Sequence, residues 1–355
     1  VWRPRKQPFS KASKSGDKFR ENFENDGSDA LLSKPAMSPA RENSFEVRVP
    51  ASTANLGAGF DCLGLALELY LSVRATVLEK PGSRSKARSR GVSGTAKLPS
   101  SPDQNLIFKA MRYAAEREKL KLPLTRVAVQ NDIPVAGGMG SSAAAIVAGV
   151  ALGFALGGAE VAKDRVLRYA AEMEGHADNV GAALHGAFVV TFIRPDGNVI
   201  AVRKSWPKVV RMIVVTPDFP LETEKSRAVL PPTFSRADAV HNLQRSALFV
   251  AALDERRYDL LWDALQDRLH QDYRKKLIPG LADVIAMPRS PGFLGAALSG
   301  AGPSVIAFAT EKFEETGRAI ARHFEKHKIT STVRILEAAQ EGLTWLHKSS
   351  AARVG

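Results

Sequence analysis

At 355 residues, the chain is long for one domain and comfortable for two with a sizeable core. Hydrophobic residues at 45% and charged residues at 25% are the proportions of a globular protein, and no run reaches the ~18 uncharged apolar residues of a membrane helix. A net charge of +13 suggests nucleic acid, but aromatics are only 7% and do not alternate with Lys and Arg, so no stacking platform is visible. The favoured reading is a basic surface plus a site for anionic phosphates, with no specific nucleic acid and no membrane as partner.

The single cysteine, Cys62, rules out an internal disulfide framework and a cysteine-based zinc site. Its apolar surroundings, Asp61-Cys62-Leu63-Gly64-Leu65, suggest a buried, inert thiol. The N-terminus lacks the apolar core of a secretory signal, so a cytoplasmic location is expected.

Residues 1–44 have no hydrophobic period and are rich in Ser and charged residues, which predicts a disordered extension. Order is expected from the alternating Phe45-Glu46-Val47-Arg48-Val49, with a second strand over about 65–78. The basic, Gly- and Ser-rich 80–97 reads as an exposed loop or hairpin. Helices are predicted at 106–119, 142–156, 160–174, 177–184, 235–252 and 279–288. Further strands are predicted at 127–130, 186–193, 209–215, 295–299 and 304–309. Adjacent strands that read as hairpins favour an α+β fold over a doubly wound parallel sheet. The turn Arg194-Pro195-Asp196-Gly197 suggests a boundary near 200, giving domains at 45–200 and 201–345 with a tail at 346–355.

The most informative segment is Gly137-Gly138-Met139-Gly140-Ser141-Ser142, followed by three alanines. Glycines allow close backbone approach to a ligand. A serine pair opening a strong helix former is expected to supply N-cap hydroxyls and unpaired amides at the positive helix end, a phosphate site. The segment is not a Walker A loop, since no Gly-Lys-[Ser/Thr] follows, and its glycine spacing is not that of a dinucleotide fold.

Beginning at Pro134, this segment resembles the central nucleotide motif of the GHMP kinases. Two further segments agree with it. Val49-Pro-Ala-Ser-Thr-Ala-Asn55-Leu-Gly-Ala-Gly-Phe-Asp61-Cys-Leu-Gly64 looks like the N-terminal motif in its homoserine kinase form. Leu298-Ser-Gly300-Ala-Gly302-Pro-Ser-Val305 is similar to the C-terminal glycine motif. The resemblance spans about 46–310. It implies a ribosomal-protein-like N-terminal domain joined to a ferredoxin-like α/β sandwich. It also implies transfer of phosphate from ATP, with Mg²⁺, to the hydroxyl of L-homoserine, a step of threonine biosynthesis; a homodimer is left open.

Carried over residue by residue, the resemblance places ATP on Pro134, Gly137, Gly138, Met139, Gly140, Ser141, Ser142, Gly300 and Gly302. It places Mg²⁺ on Ser142 and Glu174, with Glu172 as the near neighbour that could be confused with Glu174. Homoserine is a zwitterion with a hydroxyl, so it calls for a carboxylate, guanidinium groups and an orienting group. The matching residues are Asn55, Asp61, His176, Asn179, Thr223, Arg227 and Arg274, with Asp61 facing the ammonium and the arginines the carboxylate. Asn179, Asp178 and His176 are the catalytic candidates. A base at Asp178 or His176, or no strong base with Asn179 orienting the hydroxyl, all remain open. The rival substrate is a mevalonate-type alcohol, against which the Asn55–Asp61 segment and the two arginines argue.

Overall fold

The computed structural model describes residues 44–78, 99 and 101–346, with the backbone alone for 86–92. The extension expected at 1–44, apart from Ser44, lies outside the described residues, as do 80–85 and 93–97 of the expected loop. The elements run β1 (Ser44–Ala54), β2 (Leu63–Val77), β3 (Lys86–Val92), α1 (Leu106–Arg117), β4 (Thr125–Asn131), α2 (Ser141–Leu156), α3 (Lys163–Glu174) and α4 (Asp178–His185). They continue through β5 (Phe188–Ile193), β6 (Val199–Lys204), β7 (Arg211–Pro217), α5 (Thr223–Ala228), α6 (Arg236–Asp254), α7 (Leu261–Ala264) and α8 (Gln271–Arg274). The last are α9 (Leu281–Ile285), β8 (Phe293–Leu298), β9 (Val305–Ala309), α10 (Phe313–Glu325), β10 (Ser331–Leu336) and β11 (Thr344–Trp345).

The strands form two sheets. The first has the order β11-β1-β2-β4-β3, with β5 pairing β2 and β6 pairing β5. The second is β10-β7-β9-β8, antiparallel throughout. The mixed, hairpin-rich architecture is the expected α+β class. The chain passes from the first sheet to the second between Lys204 and Arg211, and β11 returns to pair with β1. Residues 344–345, placed from sequence in the second domain, therefore belong to the first sheet.

Local chemistry explains the elements. Pro50 has no N–H to offer a ladder, and the β1–β2 register shifts between Pro50 and Ala51, as a bulge permits. Helix α2 is almost wholly apolar and is buried on nearly every side, packed between α1, α3 and β1. On β7 the period of two divides the side chains between cores. Met212 and Val214 join Phe249, Ile306 and Phe308, whereas Ile213 and Val215 pack with Leu281, Ile320 and Phe324.

Three departures from expectation have physical causes. Part of the expected 80–97 loop is β3, which pairs in parallel with β4; its run Lys-Ala-Arg-Ser-Arg-Gly-Val lacks alternation, so only the neighbouring strand identifies it. The helix expected over 279–288 is a short turn, 281–285, set off by the left-handed Gly280. Helix α10 lies outside the helices expected from the sequence, although Phe313, Gly317, Ile320 and Phe324 repeat at helical spacing.

An aromatic cluster joins the layers. Phe249 on α6 lies 5.6 Å from Phe188 on β5, 6.5 Å from Trp206 and 6.4 Å from Phe308 on β9, measured between ring centroids. It is fully buried, so truncation loses both transfer energy and packing. Phe249→Ala is expected to lower the unfolding free energy by ~3–5 kcal/mol in a urea titration; a loss below about 1 kcal/mol would mean that the site collapses around the deletion.

Candidate active site

One cavity of ≈ 300 Å³ is lined by Leu71 and Asn131 of the first sheet, by the helices and loops around them, and by Gly300 and Ala301 in the turn between β8 and β9 of the second. Nearly every residue singled out from sequence lines it: Asn55, Asp61, Pro134, the 137–142 loop, Glu174, His176, Asp178, Asn179, Thr223, Arg227, Arg274 and Gly300. Gly302 is the exception. It stands behind the wall, where a side chain would meet Ile278 and Leu298 at 2.7 and 3.0 Å, and its backbone backs onto Gly138.

The glycine loop needs two of its glycines for steric reasons. Gly138 has φ +74°, and a Cβ there would lie 2.5 Å from Ser299 O and 2.7 Å from Gly302 O. Gly140 has φ +66°, and a Cβ would lie 2.0 Å from Ser52 Oγ. This corrects the expected cap. Gly140 is the N-cap of α2, and no side-chain hydroxyl caps the helix. The amides of Ser141, Ser142 and Ala143, which have no acceptor within the helix, thus stay free to face an anion.

Ser142 is turned elsewhere: its Oγ donates to Glu174 Oε1 at 2.6 Å. Glu174 ends α3, and burial raises its carboxyl above the usual range, against the pull of Ser142 and His176. No cation pairs with it among the described residues. Two hard oxygens side by side, one on a carboxylate without a cation partner, fit the one or two protein ligands that Mg²⁺ takes beside phosphate oxygens. Glu172 lies two residues away but points outward, accepting from Tyr113 at 2.7 Å and from Arg168 at 3.1 Å, with Arg117 on the same carboxylate. Those donors outweigh burial and hold its carboxyl low. Helix periodicity separates the two glutamates, since positions two apart face different sides.

The cavity is also lined by a second set of charges. Asp61 and Arg227 form a bidentate pair, Nη2–Oδ1 2.6 Å and Nη1–Oδ2 3.1 Å, with both side chains about one third exposed. Phe60 lies under both arginines, 5.7 Å from Arg227 and 5.5 Å from Arg274. Asp61 is a left-handed residue, φ +54°, held by its N–H donating to Asn55 Oδ1. Asn55 Nδ2 in turn donates to Gly300 O at 2.9 Å. Thr223, at the start of α5, is exposed at the rim.

On the same wall, Asp178 Oδ1 accepts from His176 Nδ1 and from Asn179 N–H, each at 2.6 Å. One oxygen of the Asp178 carboxylate is therefore already committed. Asn179 Oδ1 accepts from Ser52 Oγ at 2.9 Å, which fixes the amide. Asp61, His176 and Asp178 bring ligand atoms within 4.8 Å of one another. Ser52, Ser299 and Ser226 were not singled out from sequence. They brace the wall: Ser299 Oγ donates to Gly138 O and accepts from the Thr53 hydroxyl, and Ser226 Oγ donates to Ala301 O. Ser52 and Ser299 stand within the quoted motifs, but the partner of each of the three serines is distant in sequence, so their bracing part shows only in the fold.

With this geometry in view, two family models match the chain: the N-terminal domain of GHMP kinases over residues 105–187 and their C-terminal domain over residues 249–326. A homoserine kinase of Deinococcus radiodurans is 44% identical over 78% of this chain and 87% of its own length. One from Saccharomyces cerevisiae is 35% identical over 84% of this chain and 97% of its own. The crystal structure of homoserine kinase from Cytophaga hutchinsonii superposes with a TM-score of 0.75 at 27% identity, covering 87% of this chain and 99% of that one. The chain belongs to the homoserine kinase family within the GHMP kinases. Members of this kinase family use ATP. No helix among the described residues is long and apolar enough to cross a membrane.

His176 supplies a test. Burial alone would lower its pKa, but the Asp178 hydrogen bond and charge, with Glu174, raise it above 6.5. A raised histidine stabilises the fold fully below its unfolded value and loses that contribution as pH rises through the folded one. The melting-temperature gap between wild type and His176→Asn should therefore be largest below pH 6.5 and shrink on the alkaline side. A gap that widens with pH would mean that the ring is held neutral.

Proposed function

We propose that the chain transfers the γ-phosphoryl group of ATP to the side-chain hydroxyl of L-homoserine, giving O-phospho-L-homoserine. The observation that carries this reading is that two groups of residues line one cavity: the free helix amides with the Ser142–Glu174 oxygens, and Asp61 with Arg227 and Arg274. A zwitterion bearing a hydroxyl satisfies the second group: its ammonium goes to Asp61 and its carboxylate to the guanidinium groups.

In this reading the polyphosphate lies along the 137–142 loop on the α2 amides. Ser142 and Glu174 are the residues that hold Mg²⁺. When bound, the ion offsets the charge of the phosphate oxygens. Asn179, its amide fixed by Ser52, orients the hydroxyl from the N-terminal turn of α4. Asp178 keeps His176 and the α4 turn in place, and with one of its oxygens engaged by two donors it has a supporting part. A loose transition state lets the alcohol proton leave late, so positioning suffices without a strong base.

The test is ADP release measured with Mg-ATP across homoserine, mevalonate and galactose. Homoserine should be the preferred acceptor; a response to mevalonate with none to homoserine would overturn the assignment. A separate variant pair probes the metal ligands. Glu174→Gln should cut turnover by ~10²-fold or more, as loss of a charged contact to transition-state charge does, while Glu172→Gln should stay near wild type. The reverse pattern would move the ligand to Glu172.

A further inference from the structure

Arg274 is the largest side chain that the fold buries completely, 1% exposed. No carboxylate lies within ion-pair distance of it among the described residues. Its guanidinium meets neutral acceptors instead: Nε donates to Ser226 O at 3.1 Å, and Nη1 donates to Gly300 O at 3.2 Å and to His270 Nδ1 at 2.9 Å. Nη2 makes no hydrogen bond among the described residues, although Arg274 lines the cavity. Burial, and then the like charge of Arg227, lower its pKa to about 10. A buried cation without an anion is costly, which suggests that the missing anion is a ligand.

His270 has the chemistry to hold such a cation without neutralising it. The ring is fully buried, and Nε2 lies 2.8 Å from Gly57 O. A carbonyl oxygen only accepts, so the proton sits on Nε2 and Nδ1 is bare. That bare nitrogen takes the Nη1–H of Arg274. Phe60 stacks on the imidazole, centroids 5.2 Å apart at 22°, and fixes its plane. The charged groups facing the ring are Asp267, Arg274 and Asp61. The Asp267 carboxylate, 3.7 Å from Nε2, is occupied by the N–H groups of Leu269, His270 and Gln271 and by Asn242 Nδ2. Burial first, and then Arg274, keep the ring neutral against the pull of Asp267. A carboxylate in place of His270 would pair with Arg274 and compete with an incoming acid group.

We propose that His270 is a positioning residue for the carboxylate end of the acceptor pocket. It fixes the Arg274 guanidinium through Nδ1 with Nη2 left for the acceptor, and through Nε2–H to Gly57 it ties that position to the 55–61 loop carrying Asn55 and Asp61. The proposal rests on the homoserine reading above only in naming the acid group as the substrate's carboxylate.

Three measurements test it. His270→Phe keeps the stack on Phe60 and removes both hydrogen bonds, whereas His270→Asn restores an acceptor near Nδ1. In His270→Phe the KM for homoserine should rise about tenfold or more, the worth of one hydrogen bond to a charged group, with kcat and the KM for ATP changing by less than about threefold. His270→Asn should recover most of that loss. Crystal structures of wild type and His270→Phe without acceptor should show the guanidinium leaving Gly300 O in the variant. ¹⁵N NMR of the wild-type protein should find His270 neutral and protonated on Nε2, a readout that stands even if His270→Phe does not fold. An unchanged homoserine KM, equal rises for both substrates, no rescue by Asn, an unmoved guanidinium or a proton on Nδ1 would each overturn the proposal. If wild type fails to phosphorylate homoserine, the functional reading falls, and the crystallographic and NMR results still decide the role of His270.

Discussion

The site exists because the 299–302 turn of the second sheet is pressed against the glycine loop and the end of β1 from the first. Ser299 Oγ donates to Gly138 O, Gly300 N–H to Ala54 O, and Asn55 Nδ2 to Gly300 O. Buried polar groups must find partners, and here those of one sheet find them in the other, so the two layers have one mutual register at the cavity. The contact leaves no room for a side chain at Gly138. The Phe249 cluster holds the same two sheets from the apolar side. Phosphoryl transfer through a loose transition state depends on placing donor and acceptor in line. A seam this constrained supplies the placement.

The cavity brings two kinds of unmatched group together. The free amides of α2 stand with Glu174, whose carboxyl burial has raised and which makes no ion pair among the described residues. Two guanidinium groups lie over one phenylalanine ring, of which Arg227 is paired with Asp61 and Arg274, among the described residues, with neutral acceptors. Each unmatched charge marks where a ligand charge completes the set. The partly exposed Asp61–Arg227 pair contributes little to stability, which in the proposed reading lets the two groups exchange one another for a substrate.

Backbone strain gathers at the same place. Asn55, Leu56 and Asp61 all have left-handed φ, +71°, +45° and +54°, within seven residues of the β1–β2 connection. Such conformations persist only where the surroundings over-determine them. Here the surroundings are the Asp61 N–H bond to Asn55, the Asn55 bond to Gly300 and the His270 bond to Gly57. The loop is thus held by α8 and the 299–302 turn as well as by its own strands.

Much of this was legible in the residues themselves. Alternation placed β1, β7 and β9, the apolar run placed α2, and three motifs pointed to the family, whose carried-over residues nearly all line the cavity although many other wall residues went unnamed. Local chemistry sufficed there because a glycine-rich turn or an amphipathic period has the same meaning wherever the chain takes it. The sequence was silent about β3, whose residues carry no period, and about β11, two residues that become a strand only because β1 offers an edge. It also named the wrong helix cap, since the requirement that excludes a side chain at Gly140 comes from Ser52, far away in the chain. Glu174 and Glu172 were equivalent as letters; the helix turned one toward Ser142 and the other toward Arg117, Arg168 and Tyr113. His270 reads as an ordinary histidine until Gly57 on one side and Arg274 on the other fix its proton. Residue types and spacings thus determined which chemistry was available, and the tertiary structure alone decided which groups meet, because hydrogen bonds, charges and excluded volume act over a few ångströms of space irrespective of distance along the chain.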